Sequence, residues 1–328
     1  MSAIETGESF DCFASVCTAH VTGDAPAGSA ADAVALVRRS LLAWHEQFSR
    51  FLPDSELSRL NRDPRSEVGA SPLMRRLAAA AASAGSITRG LVDATLIDQI
   101  GDAGYTETPR EPVPLSRALQ LAPPRRPARA ASQQRWREIR VDSGAGTVRR
   151  PPGVKLDSGG LAKGLFADVL ARRLAGHASF AINCAGDLAI GGAAGLARPV
   201  EVESPFDGRT LHTFGVQRGG VATSGIGRRS WLDAHGRPAH HLLDPSSGLP
   251  AYTGIVQVTA LAPSALIAEI RAKAAILGGP RAAPRWLPDG GVIVLDDGSH
   301  EVIEPPRVLA LDELAGFVRR TQIGVHGG

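Results

Sequence analysis

The chain is sparing with the residues that build several common protein types. Only 5% of its 328 residues are aromatic, with 2 tyrosines and 4 tryptophans, so its core must be largely aliphatic. Its 3 cysteines, Cys12, Cys17 and Cys184, form no C-x-x-C pair and leave an odd count. That fits reduced, buried thiols in a reducing compartment better than a disulfide framework. No apolar run approaches the roughly eighteen residues that cross a bilayer, so no membrane span is expected. The opening residues, "MSAIETGESFDCF", carry acidic side chains and no apolar h-region. A cytoplasmic protein is the expectation.

Charge of one sign is also scarce. Net charge is +3, with basic and acidic residues interspersed. Only 123–139, "PPRRPARAASQQRWREI", concentrates positive charge, and its prolines make it read as a solvated loop. Nucleic-acid recognition wants basic residues interleaved with aromatics on an ordered face. One tryptophan does not supply that, so no nucleic-acid partner is expected.

What is present is a globular chain with 43% hydrophobic residues. "FDCFASVCTAHV" (10–21) reads as an opening strand, and "SAADAVALVRRSLLAWHEQFSRF" (29–51) as a helix capped by Ser29. "PLMRRLAAAAASAG" (72–85) reads as a second helix with Gly85 as terminator. Residues 106–153 form a Pro- and Arg-rich connection containing one strand, "REIRVDS". From 154 onward the texture is strand, Gly turn and helix, and "GVIVLDDGSHEVI" reads as a hairpin turning at Asp-Gly. Strands outnumber simple crossovers. The expected class is α+β, with helices flanking mixed or antiparallel sheets, in one domain over 1–328 whose tail, 321–328, is frayed.

Several stretches can carry chemistry. "LDSGGLAKG" (156–164) sets glycines and Lys163 just before a helix, which suits a phosphate but departs from the Walker spacing. A plain turn is the competing reading there, and again at "CAGDLAIGG" (184–192), where Gly186 permits a bend and Asp187 can cap it. In "AHHLLDP", His240 and His241 point to opposite faces if the strand is regular. Asp244 either orients an imidazole or accepts backbone hydrogen bonds in the Pro245 turn. Glu269 and Lys273, four apart in "LIAEIRAKAAILGG" (266–279), are either an exposed ion pair or part of a binding site.

The ordered set "FSRFLPDSELSRLN", "GLVDAT", "LDSGGLAKGLFAD", "NCAGDLAIGG", "ATSG", "HHLLDPSSGLP" and "VTALAPSALIAEIRAKAAILGG" resembles the ApbE-like FAD:protein FMN transferases over roughly 10–300. The resemblance implies an ApbE-like architecture with the flavin site between its two halves. It implies cleavage of FAD at the pyrophosphate, transfer of FMN to a Ser or Thr of an acceptor protein, and release of AMP. Alternatives are an FAD-binding carrier or sensor that does not transfer, and an FAD hydrolase. The chain does not indicate an oligomeric state.

By this resemblance Ser55 and Asn61 line the flavin end. Gly159, Gly160, Lys163 and Asp168 hold the dinucleotide. Gly186 and Asp187 form the Gly-Asp turn, and Thr223, Ser224 and Gly225 lie beside the flavin. His241 is the expected base, with Asp244 supporting it. The family uses Mg2+, and here Glu269 stands at the aspartate ligand position, with Ala162 offering its carbonyl. Lys273 stands where a threonine ligand is usual; a protonated lysine has no lone pair to give, and its expected role is instead a fixed cation that contacts a phosphate of the bound FAD. "FAS" (13–15) replaces the family's Met-Gly-Thr, "AGD" (185–187) its Gly-Gly-Asp, and Ser247 the Thr of Asp-Pro-x-Thr-Gly.

Overall fold

A computed structural model describes residues 4–107 and 112–305, so the tail expected to be frayed lies outside the described residues. Eight strands form the main sheet: β1 (Glu5–Cys12), β2 (Ser15–Thr22), β3 (Ser179–Cys184), β4 (Asp187–Gly191), β5 (Gly219–Gly225), β6 (Ile255–Ala262), β7 (Gly291–Leu295) and β8 (His300–Ile303). Their spatial order follows the chain, and every neighbouring pair is antiparallel. Functional segments enter as insertions between strands that would otherwise form a plain meander. The α+β expectation holds, with antiparallel pairing throughout this sheet.

The stretch expected as one opening strand is a hairpin. Phe13 and Ala14 turn the chain with φ of 56° and 54°. Two positive φ values match the twist of a two-residue hairpin, but the usual Asn-Gly signal is missing. Two bulky or β-carbon-bearing residues in this region store backbone strain, a feature that concentrates at functional sites.

Between β2 and β3 lie α1 (Ala30–Phe48), α2 (Glu56–Arg62), α3 (Pro72–Ile87), α4 (Ile97–Asp102), α5 (Leu115–Gln120) and α6 (Ala162–Leu174). Ser29 caps α1 in a reciprocal box with Asp32, as its sequence position predicts. Gly85 does not end α3. It lies inside the helix, where a Cβ would come within 2.2 Å of Trp136, so the absent side chain makes room for that indole. Where one strand was expected in 106–153, the described residues hold α5, a short 3-10 turn and two strands, Arg140–Asp142 and Thr147–Arg149. These two strands join Glu67–Gly69 in a small sheet.

Helix α7 (Ala265–Gly278) connects β6 to β7 and packs on β5, β6 and α6. Ile270 and Ala274 enter one apolar cluster while Ala272, Ala275 and Ile276 enter another. A helix apolar on all sides is a buried helix, and Glu269 and Lys273 are carried inside with it. Helix α6 crosses closely at Gly164, where a Cβ would lie 2.7 Å from the Ala265 carbonyl oxygen and 2.8 Å from Leu266 Cα. Both obstacles are backbone. Gly164→Ala is therefore expected to destabilise the fold by about 1–3 kcal/mol, seen as a lower urea midpoint at unchanged slope. An unchanged midpoint would show that the two helices separate without penalty.

Candidate active site

Two chain reversals, the Phe13–Ala14 turn and the Ala185–Gly186 turn, and the end of β5 lie at the same end of the sheet's strands, and there Thr223 N–H donates to Gly186 O at 3.2 Å. The loop 157–161 and helix α7 close the other side. Between them is a cleft open to solvent. Phe13, Phe48, Phe51, Val92, Leu96 and Tyr105 give it apolar walls, and Gly159, Gly160, Lys163, Arg229, His241 and Lys273 supply polar lining. A mostly apolar cleft with a few convergent polar groups is the usual form of a small-molecule site.

The charged lining is a network built on Glu269, which is wholly buried. Its Oε1 lies 3.0 Å from Lys273 Nζ and 3.8 Å from Lys163 Nζ, and its Oε2 accepts from Gly164 N–H at 3.0 Å. Lys163 also binds Asp187, the first residue of β4. Burial would raise the Glu269 carboxyl, but the two ammoniums outweigh it and hold the group below its ordinary range. Asp187 goes the other way. Burial first, and the Glu269 charge second, push it up to about 6, and its Oδ1 has no hydrogen-bond partner among the described residues. Burial would lower Lys163, yet Asp187 and Glu269 keep its pKa raised.

Arg229 adds a third cation. Its guanidinium donates to Phe13 O at 3.3 Å and meets no carboxylate within salt-bridge distance among the described residues. Near the mouth, the Arg50 guanidinium lies 4.4 Å over the Tyr105 ring and 4.8 Å over Phe51. Tyr105 in turn stacks on Trp231 at 4.9 Å. Phe51 stands edge-on to Tyr105 at 89°, so the wall is a stacked Tyr105–Trp231 pair flanked by Phe51 and Arg50, in which aromatic and cation–π attraction act together.

The two histidines part company as expected. His240 is buried, its Nδ1 accepting from Leu242 N–H at 3.2 Å and its ring edge-on to Tyr252. Burial pushes its pKa down to about 3. His241 is half-buried and lines the cleft. Burial, then Arg229, His240 and Lys273, hold its imidazole well below the usual range. Its enclosed Nδ1 has no hydrogen-bond partner among the described residues.

Asp244 does not orient that imidazole. Its Oδ1 accepts from Arg129 N–H at 3.0 Å, from Ser246 N–H at 3.0 Å and from Ser246 Oγ at 2.8 Å. Of the two readings left open by the sequence, the backbone-turn role is the one observed. Asp244 is a positioning residue that pins the loop after His241.

Other expected site residues also stand behind the cleft wall. Asn61 exchanges two 2.8 Å hydrogen bonds with the backbone of Leu156, fixing the entry to the glycine loop. Ser55 caps α2 by accepting from Ser58 N–H at 3.0 Å. Asp168 reaches from α6 to accept from Ala265 and Leu266 N–H, at 2.8 and 3.0 Å, at the start of α7. Thr223 pairs with Thr259 across β5 and β6 at 2.8 Å, Ser224 is buried, and Gly225 ends β5. Gly186 donates to Asn183 Oδ1 at 2.7 Å and completes the hairpin turn. The sequence reading passed over Arg229, Arg50 and Tyr105, because only the folded chain brings them together. Phe13 carries a signal as the first residue of "FAS", the segment that stands where the family has Met-Gly-Thr.

The profile of the ApbE family matches residues 13–295, and so includes every element around the cleft from the Phe13 turn to β7. The chain belongs to the ApbE family. An FAD:protein FMN transferase of Klebsiella pneumoniae (strain 342) is 25% identical over 217 residues, covering 64% of this chain and 60% of that protein. Another, of Treponema pallidum (strain Nichols), is 30% identical over 141 residues, covering 39% of each. The matched parts thus span less than two thirds of these relatives. Among solved structures, the ApbE protein of Thermotoga maritima MSB8 superposes with a TM-score of 0.72 at 22% identity, covering 92% of this chain and 97% of that one. The apo form of the Pseudomonas stutzeri flavinyl transferase ApbE gives 0.71 at 22%, covering 92% and 95%. This likeness establishes the ApbE fold.

The Mg2+ site expected at Glu269 and Ala162 does not suit a cation in this ApbE chain. Both Glu269 oxygens are engaged, one by two ammoniums and the other by Gly164 N–H. A magnesium ion needs oxygen ligands at about 2.0–2.1 Å in near-octahedral array. Here the neighbouring donors are nitrogen cations with no lone pair. No cluster of three His, Cys, Asp or Glu suited to a metal occurs among the described residues.

Proposed function

We propose that this protein is a flavin transferase, which binds FAD, splits its pyrophosphate and passes FMN to a Ser or Thr hydroxyl of an acceptor protein. One observation carries the reading: a neutral imidazole, His241, shares a cleft with three cations, Lys163, Lys273 and Arg229. A base and fixed positive charge are the two things that phosphoryl transfer from a dinucleotide requires. The relatives from Klebsiella pneumoniae and Treponema pallidum, both FAD:protein FMN transferases, support the same chemistry.

In this mechanism the glycine loop lets the pyrophosphate approach the backbone, and the apolar wall around Phe51 and Tyr105 takes a flat ring. His241 removes the proton of the acceptor hydroxyl. The hydroxyl oxygen then bonds to the phosphorus of the FMN half as the bond to the bridging oxygen breaks. AMP leaves with that oxygen and its electron pair, while the cations offset charge growing on the leaving phosphate. Asn61, Ser55, Asp168, Gly186, Asp187, Thr223, Ser224 and Gly225 act by positioning these groups.

A single domain and a cytoplasmic location are part of the proposal. The latter is supported by three buried free thiols, Cys12, Cys17 and Cys184. No helix among the described residues is long and apolar enough to cross a membrane. The deciding experiment incubates purified protein with FAD and Ser/Thr acceptor proteins and separates AMP, free FMN and protein-bound FMN. AMP matched by bound FMN is expected. Free FMN in its place would mean hydrolysis, and unreacted bound FAD would mean a carrier.

A further inference from the structure

The polar end of the cleft holds fixed cations where the family resemblance implies Mg2+. Lys273 sits one helical turn beyond Glu269 on α7, and its stem passes over the glycine loop. A Cβ on Gly160 would lie 3.4 Å from Lys273 Cε. The side chain is only 10% exposed, yet it lines the cleft. Its ammonium is therefore fixed at the place where the loop, α6 and α7 meet, beside the position a diphosphate takes if the loop binds one.

We propose that this protein handles the FAD pyrophosphate without a divalent metal, the Lys273 ammonium standing as a built-in cation together with Lys163 and Arg229. The proposal rests on the FAD reading of the same cleft. Lys163, Lys273 and Arg229 gather around Glu269 and Asp187, while the cleft's other charges are met elsewhere, Arg50 by Asp157 at 3.8 Å and Asp93 by Thr95, so these three cations are the ones placed for an incoming diphosphate. Glu269 serves as the anchor of the cation and not as a ligand, since it is wholly buried behind two lysines and a backbone N–H. A metal bound at its Oε1 would stand against ammoniums 3.0 and 3.8 Å from that oxygen. Repulsion at such distances in a poorly solvated site is severe. In the transfer step the atoms balance as before: the acceptor oxygen bonds to the FMN phosphorus, AMP takes the bridging oxygen, and the proton goes to His241. The lysines and arginine neutralise charge and exchange no atoms.

The test measures binding before turnover. FAD and ADP are titrated into the EDTA-treated protein and into protein with saturating Mg2+, following flavin fluorescence and heat. Affinities equal within about twofold are expected, whereas a gain of about tenfold or more with Mg2+ would overturn the proposal. Mn2+ is titrated separately into the ligand-free protein, where stoichiometric binding that is lost in Glu269→Gln would also overturn it. Lys273→Met should weaken ADP binding in EDTA by about tenfold, the loss of one fixed charge at a phosphate. Unchanged ADP affinity in that variant would count against Lys273 as the cation. If the variant does not fold, the wild-type titrations still decide. AMP release is scored apart from these arms, so failure of the transferase reading shows as equal binding without turnover.

Discussion

His241→Ala should slow AMP release by about 10²–10⁴-fold while FAD affinity stays nearly unchanged, because a positioned base acts on the transition state and not on the bound substrate. The geometry behind this is specific. Of the two adjacent histidines His241 is the one that lines the cleft, and it stands with Lys163, Arg229 and Lys273, where a phosphoryl group would be held, whereas His45, which also lines the cleft, packs edge-on against Phe13. His240, one residue earlier, faces the interior against Tyr252 and is no alternative base. The pH profile gives a second readout. An unperturbed imidazole is half protonated at about 6.5 and would lose half its base activity there. Burial and the neighbouring cations hold His241 well below that range, so the neutral form persists as pH falls. Turnover should therefore be flat from about pH 8 through 6.5, with its acid limb below that of a free imidazole. A limb centred near 6.5, or a His241→Ala enzyme that retains full turnover, would remove His241 from the chemistry.

How far the sequence discloses such a site depends on whether a residue's role is local. Ser29 announces its helix because a cap acts three residues away, on Asp32 N–H. The β7–β8 hairpin is announced by Asp297-Gly298, again over a few residues. The α6 turn is legible in its glycines and Lys163. By contrast, Gly85 looks like a helix terminator and instead makes room for Trp136, some fifty residues on. The Phe13–Ala14 turn is hidden because its conformation runs against the preference of its own residues. Asp244 accepts from Ser246 in the local turn its neighbour Pro245 suggests, but its third bond, to Arg129 N–H, and both bonds of Asn61 go to backbone 115 and 95 residues away, which no motif discloses. Arg229 and Arg50 belong to the cleft only because the sheet edge and the insertions converge there. The pair in α7 is the most instructive case. Four-residue spacing makes Glu269 and Lys273 look like an exposed ion pair, but all-round apolarity of the same helix buries them, and burial turns a weak pair into part of a site.

Lys163→Met should be among the most destabilising single changes in the protein, at about 3–5 kcal/mol, because it breaks a buried ion pair from one side. Lys163 binds Asp187 and lies 3.8 Å from Glu269 Oε1. Without it, Glu269 keeps Lys273 and the Gly164 N–H, but Asp187 has only an orphaned Oδ1 and an Oδ2 newly without a partner. The damage should thus concentrate on Asp187, and this has a signature in pH. In the parent the folded-state pKa of Asp187 is already raised to about 6, above its unfolded value. Removing the ammonium raises it further. A carboxyl raised on folding binds its proton more tightly in the native state, so its penalty grows as pH rises through the folded pKa and fades as pH falls toward the unfolded one. The stability deficit of Lys163→Met relative to the parent should therefore shrink as pH is lowered from about 7.5 to 5; Glu269 also rises but keeps Lys273 and the Gly164 N–H, while groups remote from Lys163 cancel in the difference. Adding Asp187→Leu should recover most of the loss at neutral pH, since an apolar pair of similar volume avoids the desolvation of both charges. Urea unfolding of the four proteins of this cycle, at pH 5 and 7.5, measures all of it. Parallel deficits at the two pH values, together with no recovery in the double variant, would mean that Lys163 stabilises the fold by packing and that Asp187 is not its electrostatic partner.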